Sequence, residues 1–167
     1  MMANSFSNYA IIRVTPTLST DAYADGDVLF NSVAIPNAVL GNGGCSKLTG
    51  MFILNQNTTV IDGTFIFSEN AMTLGTINAT ANISDADIEA GNITGKVHLD
   101  GSESGTGHLD NAKLYNAAYN ASVEHSVPQL LQAAAGSTSV YVACIITGGT
   151  PPLAADDIDL IFHIEYL

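Results

Sequence analysis

The sequence predicts an all-β chain, a single-domain, jelly-roll-like β-sandwich with one or two short helical turns. Three observations carry that reading. Apolar, β-branched segments of strand length recur along the chain, each closed by Gly, Pro, Asn or Asp. Segments with helical caps are few and short. Of 167 residues, 47% are hydrophobic and 12% charged, with mean hydropathy +0.26, so a core is affordable, and 15 glycines supply turns. Roughly seven to nine strands with little helix fit a sandwich or jelly roll.

The elements follow in order. Tyr9-Ala10-Ile11-Ile12-Arg13-Val14 is β-branched and stops at Thr15-Pro16, because Pro cannot donate to a ladder. The polar residues 1–8 before it form a flexible N-terminal segment or arm, and residues 9–167 the sandwich domain. Val28-Leu29-Phe30 and Ser32-Val33-Ala34-Ile35 lie between Ala24-Asp25-Gly26-Asp27 and Pro36-Asn37. After Gly41-Asn42-Gly43-Gly44 comes an apolar segment, 45–55, in which Gly50 suits a bulge or bend. Residues 60–67, beyond Asn57-Thr58-Thr59, pair with it as a hairpin. In 93–99, Ile93, Val97 and Leu99 share one face, and Thr94, Lys96 and His98 the other. Residues 139–147 form a strand closed by Gly148-Gly149-Thr150-Pro151-Pro152. In 158–167, Ile158, Leu160, Phe162, Ile164 and Tyr166 alternate with Asp159, Ile161, His163 and Glu165. Helix is expected at 84–91, with Ser84 as N-cap, acids in the first turn and Gly91 as the stop, and at 129–135, between Pro128 and Gly136.

Charge excludes some classes of function. Four basic residues (Arg13, Lys47, Lys96, Lys113) stand against sixteen acids, for a net charge of −12. Phosphate backbones and anionic lipid are held by Lys and Arg, so no nucleic-acid or membrane partner is expected. The opening residues lack the basic and apolar regions of a secretory signal, and no run approaches the ~18 apolar residues of a membrane span. Cys45 and Cys144 read as small buried hydrophobes, with a single disulfide between them left open.

No residue pattern carries catalysis. His98, His108, His125 and His163 have no metal-ligand spacing, and neither cysteine sits in C-x-x-C. There is no G-x-S-x-G, and no His is placed against Ser104 or Ser137. The 41–44 glycine run lacks the Lys-Ser/Thr ending of a phosphate loop. No acid pair stands out as a glycosidase pair, and the chain has no Trp to form a carbohydrate platform. Five N-x-S/T sequons, at Asn57, Asn78, Asn82, Asn92 and Asn120, reflect composition. Two aspartate-rich loops remain: Asp21, Asp25 and Asp27, and Asp156, Asp157 and Asp159. Calcium favours several carboxylate oxygens, so these six are candidate ligands. Neither loop has the D-x-[DN]-x-[DN]-G spacing with a closing Glu, and solvent-facing turn residues are the competing account.

The motif order resembles a family. The segment 14–29 runs Val14-Thr15-Pro16-Thr17-Leu18-Ser19-Thr20-Asp21-Ala22-Tyr23-Ala24-Asp25-Gly26-Asp27-Val28-Leu29. It resembles the T-P-x-[LV]-x-T-x-x-Y-x-x-G-D-[VL] opening of small virion proteins of tailed bacteriophages. The similarity continues at Ile83-Ser84-Asp85-Ala86-Asp87 and Ala135-Gly136-Ser137-Thr138-Ser139-Val140-Tyr141-Val142-Ala143. It ends at Gly149-Thr150-Pro151 and Asp157-Ile158-Asp159-Leu160. The middle, 92–122, is longer and more polar than in such proteins, and the Pro151-Pro152 pair also departs from them.

The resemblance implies a non-enzymatic head decoration or cement protein without a cofactor. Its partner would be the major capsid protein on the phage head surface, after synthesis in the host cytoplasm. It would assemble as a homo-oligomer, with a trimer as the expected ring. Two alternatives stand beside it. One is a tail, fibre or receptor-binding component using residues 101–120 on a host glycan. The other is a small jelly-roll enzyme of the cupin type.

Overall fold

The computed structural model describes residues 8–101, 107–117, 127–148 and 152–167. Among them run β1 (Tyr9–Val14), β2 (Val28–Ile35), β3 (Cys45–Asn55), β4 (Gly63–Ser68), α1 (Asp85–Gly91), β5 (Ile93–Leu99), β6 (Gly107–Leu109), β7 (Ala112–Asn116), β8 (Gln129–Gln132), β9 (Val140–Ile146) and β10 (Ile158–Tyr166). Apart from Asn8, the expected N-terminal arm lies outside the described residues.

Two antiparallel sheets pack face to face as an all-β sandwich. The six-stranded sheet has the order β1-β10-β3-β7-β6, with β8 also on β3; the four-stranded sheet is β2-β9-β4-β5. Strand β3 is long enough to take β8 along Cys45–Leu48 and β7 along Phe52–Asn55. The pairs β1·β10, β2·β9, β3·β8 and β4·β5 are those of one antiparallel ribbon. That ribbon doubles back between β4 and β5, and successive pairs fall in opposite sheets.

Period-2 alternation places the core. Ile158, Leu160, Phe162 and Ile164 of β10 face inward and are fully buried, as are Leu48, Met51 and Ile53 of β3 and Phe65 and Phe67 of β4. Phe67 meets Phe162 edge-to-face between the sheets, with ring centroids 6.1 Å apart. The expected irregularity near Gly50 is a bulge, because His163 opposes Gly50 while Ile164 opposes Leu48. The extra residue, Thr49, donates its hydroxyl to the His163 carbonyl at 3.0 Å.

Four expectations need correction. Residues 60–67 do not form a hairpin with 45–55, because β4 lies in the opposite sheet and the connection crosses the core. The helix expected at 129–135 is the strand β8 over its first four residues, where pairing with β3 overrides local propensity. Ile93 does not share the face of Val97 and Leu99; a register shift between Phe67 and Ser68 turns it out to solvent. The stop of α1 is Asn92, the residue in the left-handed region at φ 50°. Gly91 serves a different need, since a Cβ there would sit 3.0 Å from Met72 Sδ.

Helix α1 begins as read: Ser84 Oγ accepts from the Asp87 N–H at 3.2 Å, with Asp85 and Asp87 in the first turn favouring the positive end of the helix dipole. The excursion that carries it closes one side of the molecule. Met72 and Leu74 are buried with Val28 and Ala143 on the outer face of the four-stranded sheet. The same segment runs along β2: Met72 N–H donates to Ser32 Oγ (2.9 Å), Leu74 N–H to Asn31 Oδ1 (2.7 Å), and Val28 N–H to the Ala79 carbonyl (2.9 Å).

Candidate functional site

The two aspartate loops act as fasteners. Asp27, almost fully buried, accepts the Ala24 N–H at 2.7 Å and closes a turn in which Gly26 takes φ 87°. Its own carbonyl accepts from the Ile146 N–H at 2.9 Å. Asp21 and Asp25 are exposed. The loop is anchored by buried Tyr23, whose hydroxyl accepts the Ser19 N–H at 2.7 Å; burial pushes the phenol pKa up. In the second loop Asp156 is exposed. Asp157 accepts the Ala154 N–H at 2.6 Å and Asn57 Nδ2 at 3.3 Å. The loops touch through the Leu18 N–H, which donates to the Ala155 carbonyl at 3.0 Å. Among the described residues no three His, Cys, Asp or Glu side chains converge on a metal position.

Asp159 is the most constrained of the six. It is 3% exposed and accepts from Arg13, from the Thr15 hydroxyl and from Gln56 Nε2 at 3.3 Å. The Arg13 guanidinium holds its carboxyl below the ordinary Asp value; burial opposes this, and the Thr15 and Gln56 donors add to the lowering. A carboxylate so supplied with donors is a weak base, and its geometry suits fastening β1, β10 and the 55–59 turn together. That turn is itself bonded throughout: Asn55 Nδ2 donates to the Thr59 carbonyl at 2.8 Å, and the Asn57 side chain accepts the Thr59 N–H at 3.1 Å.

The other candidates that are described have packing or hydrogen-bond partners within the fold. Cys144 is free and fully buried, and burial pushes its thiol pKa well up, the opposite of an activated cysteine. Cys45 is free and half-buried, so no disulfide joins the pair. His98 pairs with the Thr64 hydroxyl at 3.2 Å, and the His163 ring packs tilted against Phe52 with centroids 5.0 Å apart. The side chains of His108 and His125 lie outside the described residues. The 41–44 run is a tight turn, with Gly41 and Gly43 at φ 74° and 70° and the Gly43 N–H on the Ser137 carbonyl.

What remains open is the outer face of the six-stranded sheet. Residues directly opposite on antiparallel strands share a face, so Arg13, Ile161 and Phe52 form one row and Asp159, Leu54 and Leu114 the next. Ile161, Phe52, Leu54 and Leu114 are half-buried, and Ile11 is 71% exposed. Strands β1, β3 and β10 together carry two carboxylates, Asp159 and Glu165, and two cations, Arg13 and Lys47. They pair as Arg13–Asp159 and Lys47–Glu165, the latter at 3.4 Å. The face is therefore charge-balanced on a chain of net charge −12. Among the described residues no strand or helix packs over Ile161, Phe52, Leu54 and Leu114, in contrast with the opposite sheet, while Thr15 and Gln56 close the Asp159 end.

Sequence reasoning identified the β10 half of this face and missed Phe52 and Leu54. The signal was that 45–55 is apolar on both of its period-2 faces, a pattern of strands covered on both sides. No protein-family model matches the chain, and no curated protein matches it.

Proposed function

We propose that this chain is a non-enzymatic structural protein of a tailed-bacteriophage virion. In this reading it is a decoration or cement protein that binds the major capsid protein on the head surface. The observation that carries the reading is the open face of the six-stranded sheet. It is partly apolar and charge-balanced, and it lies on a rigid β framework. A contiguous, partly apolar surface of that kind is a protein-recognition feature, and ion-paired polar groups beside an apolar patch suit the rim of an interface.

Two further points support it. The four ribbon pairs favour reading the sandwich as a jelly roll, an architecture that viral capsid proteins share with lectins and cupins. The motif order beginning at Thr15-Pro16 resembles that of small phage virion proteins. A molecule seated across neighbouring capsomers stabilises the lattice by adding interface that expansion would have to break. Assembly as a homo-oligomer and synthesis in the host cytoplasm belong to the same proposal.

Co-sedimentation with capsids stripped of accessory proteins, followed by cryo-EM, tests it. The expected result is saturable binding at fixed lattice positions through Phe52 and Leu54, lost in a Phe52→Glu variant that keeps its far-UV circular dichroism. Protein that stays in the supernatant at micromolar concentration would overturn the reading and move a tail or fibre role to first place.

A further inference from the structure

The 41–44 turn, which leads into β3, needs its glycines. Gly41 and Gly43 lie in the left-handed region at φ 74° and 70°, which glycine enters without penalty. A Cβ on Gly43 would stand 3.2 Å from Ala135 Cα, and one on Gly44 2.4 Å from the Leu40 carbonyl oxygen. The Gly44 N–H donates to the Gly41 carbonyl at 3.2 Å, and the Gly43 N–H to the Ser137 carbonyl at 2.9 Å. Nothing comparable requires Asn42. It is exposed, its backbone is not left-handed, and among the described residues its side chain makes no hydrogen bond.

Asn42 is also the only Asn in the chain that is followed by Gly. With no side chain in the way, the amide nitrogen of the next residue can reach the asparagine Cγ. Asp25, Asp62 and Asp100 precede glycines too, but a carboxylate has no ammonia to expel, and those glycines are held inside the fold. The Gly26 N–H donates to the Ile146 carbonyl of β9 at 3.0 Å, and the Gly101 N–H to Asp62 Oδ1 at 2.6 Å. Gly63 is buried between β5 and β9. The bond from Gly43 instead joins two surface turns, since Ser137 closes its own turn on the Ala134 carbonyl beside exposed Ala135 and Gly136. Contacts of that kind open locally without unfolding the core.

We propose that Asn42 is a self-modification site, converted to isoaspartate or aspartate in molecules whose 41–44 turn has opened from Ser137. Once the Gly43 N–H is released, hydroxide removes its proton and the nitrogen attacks Asn42 Cγ. The Cγ–Nδ2 bond breaks, the side-chain nitrogen leaves as ammonia with a proton from water, and hydroxide is regenerated. Water then opens the five-membered succinimide at either carbonyl. Opening at the main-chain carbonyl gives isoaspartate, whose backbone runs through the former side chain and is one methylene longer. Either product adds one negative unit to the net charge of −12. Isoaspartate loosens the joint at which β3 meets β8, because that pairing begins three residues on, at Cys45↔Gln132. The inference does not rest on a virion role.

The full chain, incubated for weeks at neutral pH in native buffer and in guanidinium chloride, tests it by peptide mass mapping with isoaspartyl methyltransferase labelling. The tryptic peptide Val14–Lys47 should gain ~1 Da in the native protein, at Asn42 before any other residue. The native reaction should be slower than the unfolded one by the factor with which folding slows hydrogen exchange of the Gly43 amide, within about threefold. Asn42→Gln keeps an amide but needs a six-membered ring; it should retain its far-UV circular dichroism and leave the peptide unmodified. Equal native and unfolded rates, or slowing unrelated to Gly43 exchange, would overturn the proposal. So would a native chain that forms no product, product that appears first at another residue, or product that persists at position 42 in Asn42→Gln.

Discussion

Phe67 and Phe162 sit on facing sheets with their ring planes at 79° and centroids 6.1 Å apart, and neither is reached by solvent. Truncating either to Ala is expected to cost ~3–5 kcal/mol, a large part of the ~5–15 kcal/mol of an ordinary domain. Phe→Leu is the sharper probe because it keeps a branched apolar side chain, at ~1–2 kcal/mol per site. The edge-to-face attraction, ~0.5–1.5 kcal/mol, disappears with whichever ring is removed first. The Phe67→Leu, Phe162→Leu double variant should therefore be ~0.5–1.5 kcal/mol more stable than the sum of the single losses implies. Urea unfolding followed by far-UV circular dichroism measures all four proteins, and the absence of Trp recommends it over fluorescence. A coupling below about 0.3 kcal/mol, or a Phe67→Leu cost no greater than that of the exposed Ile88→Ala, would mean that the sheets do not meet at these rings.

Other consequences are equally direct. The folded-state pKa of Asp159 lies below its ordinary value of 3.8, so the unfolded chain binds the proton more readily. This contribution is fully present above the ordinary value and is lost as pH falls through the lowered one; Asp159→Asn should flatten that part of the stability profile in acid urea titrations. Asn92→Ala forces a Cβ-bearing residue without a local hydrogen-bonding side chain into the left-handed region and should cost about 1 kcal/mol, whereas Asn92→Gly should be near neutral in thermal melts. With a thiol reagent in native buffer, Cys45 should label first, and Cys144 only on the timescale of unfolding.

Much of the fold was legible because its signals are local. The strict alternation of 158–167 gave the inward and outward faces of β10, Thr15-Pro16 gave the end of β1, and Ser84 with its following acids gave the start of α1. Where local chemistry is ambiguous the reading failed. Gln129-Leu130-Leu131-Gln132 suits a helix as well as a strand, and only the distant Cys45–Leu48 partner decides. The polar turn after Asn55 has the composition of a hairpin, yet composition does not tell a turn between neighbours from a crossing between sheets. The fastening of Asp159 was out of reach in principle: Arg13 lies 146 residues away, and no spacing rule spans that distance. The open face became visible only once register set Phe52 beside Ile161.

The interleaving of β10 between β1 and β3 has a consequence for biosynthesis. When β3 leaves the ribosome, the strand that must sit between it and β1 begins 103 residues later, from Asn55 to Ile158. At ordinary translation rates that is a wait of roughly 5–20 s, far longer than a β-sandwich needs to fold once complete, typically ~ms to s. Throughout it β1 stands without its partner, and β3, which gains β7 and β8 along one side, keeps the side meant for β10 exposed on the nascent chain. Yield in the cell should therefore depend on what shelters those strands during elongation, and slowing elongation should lower soluble recovery without changing the stability of molecules that reach the native state.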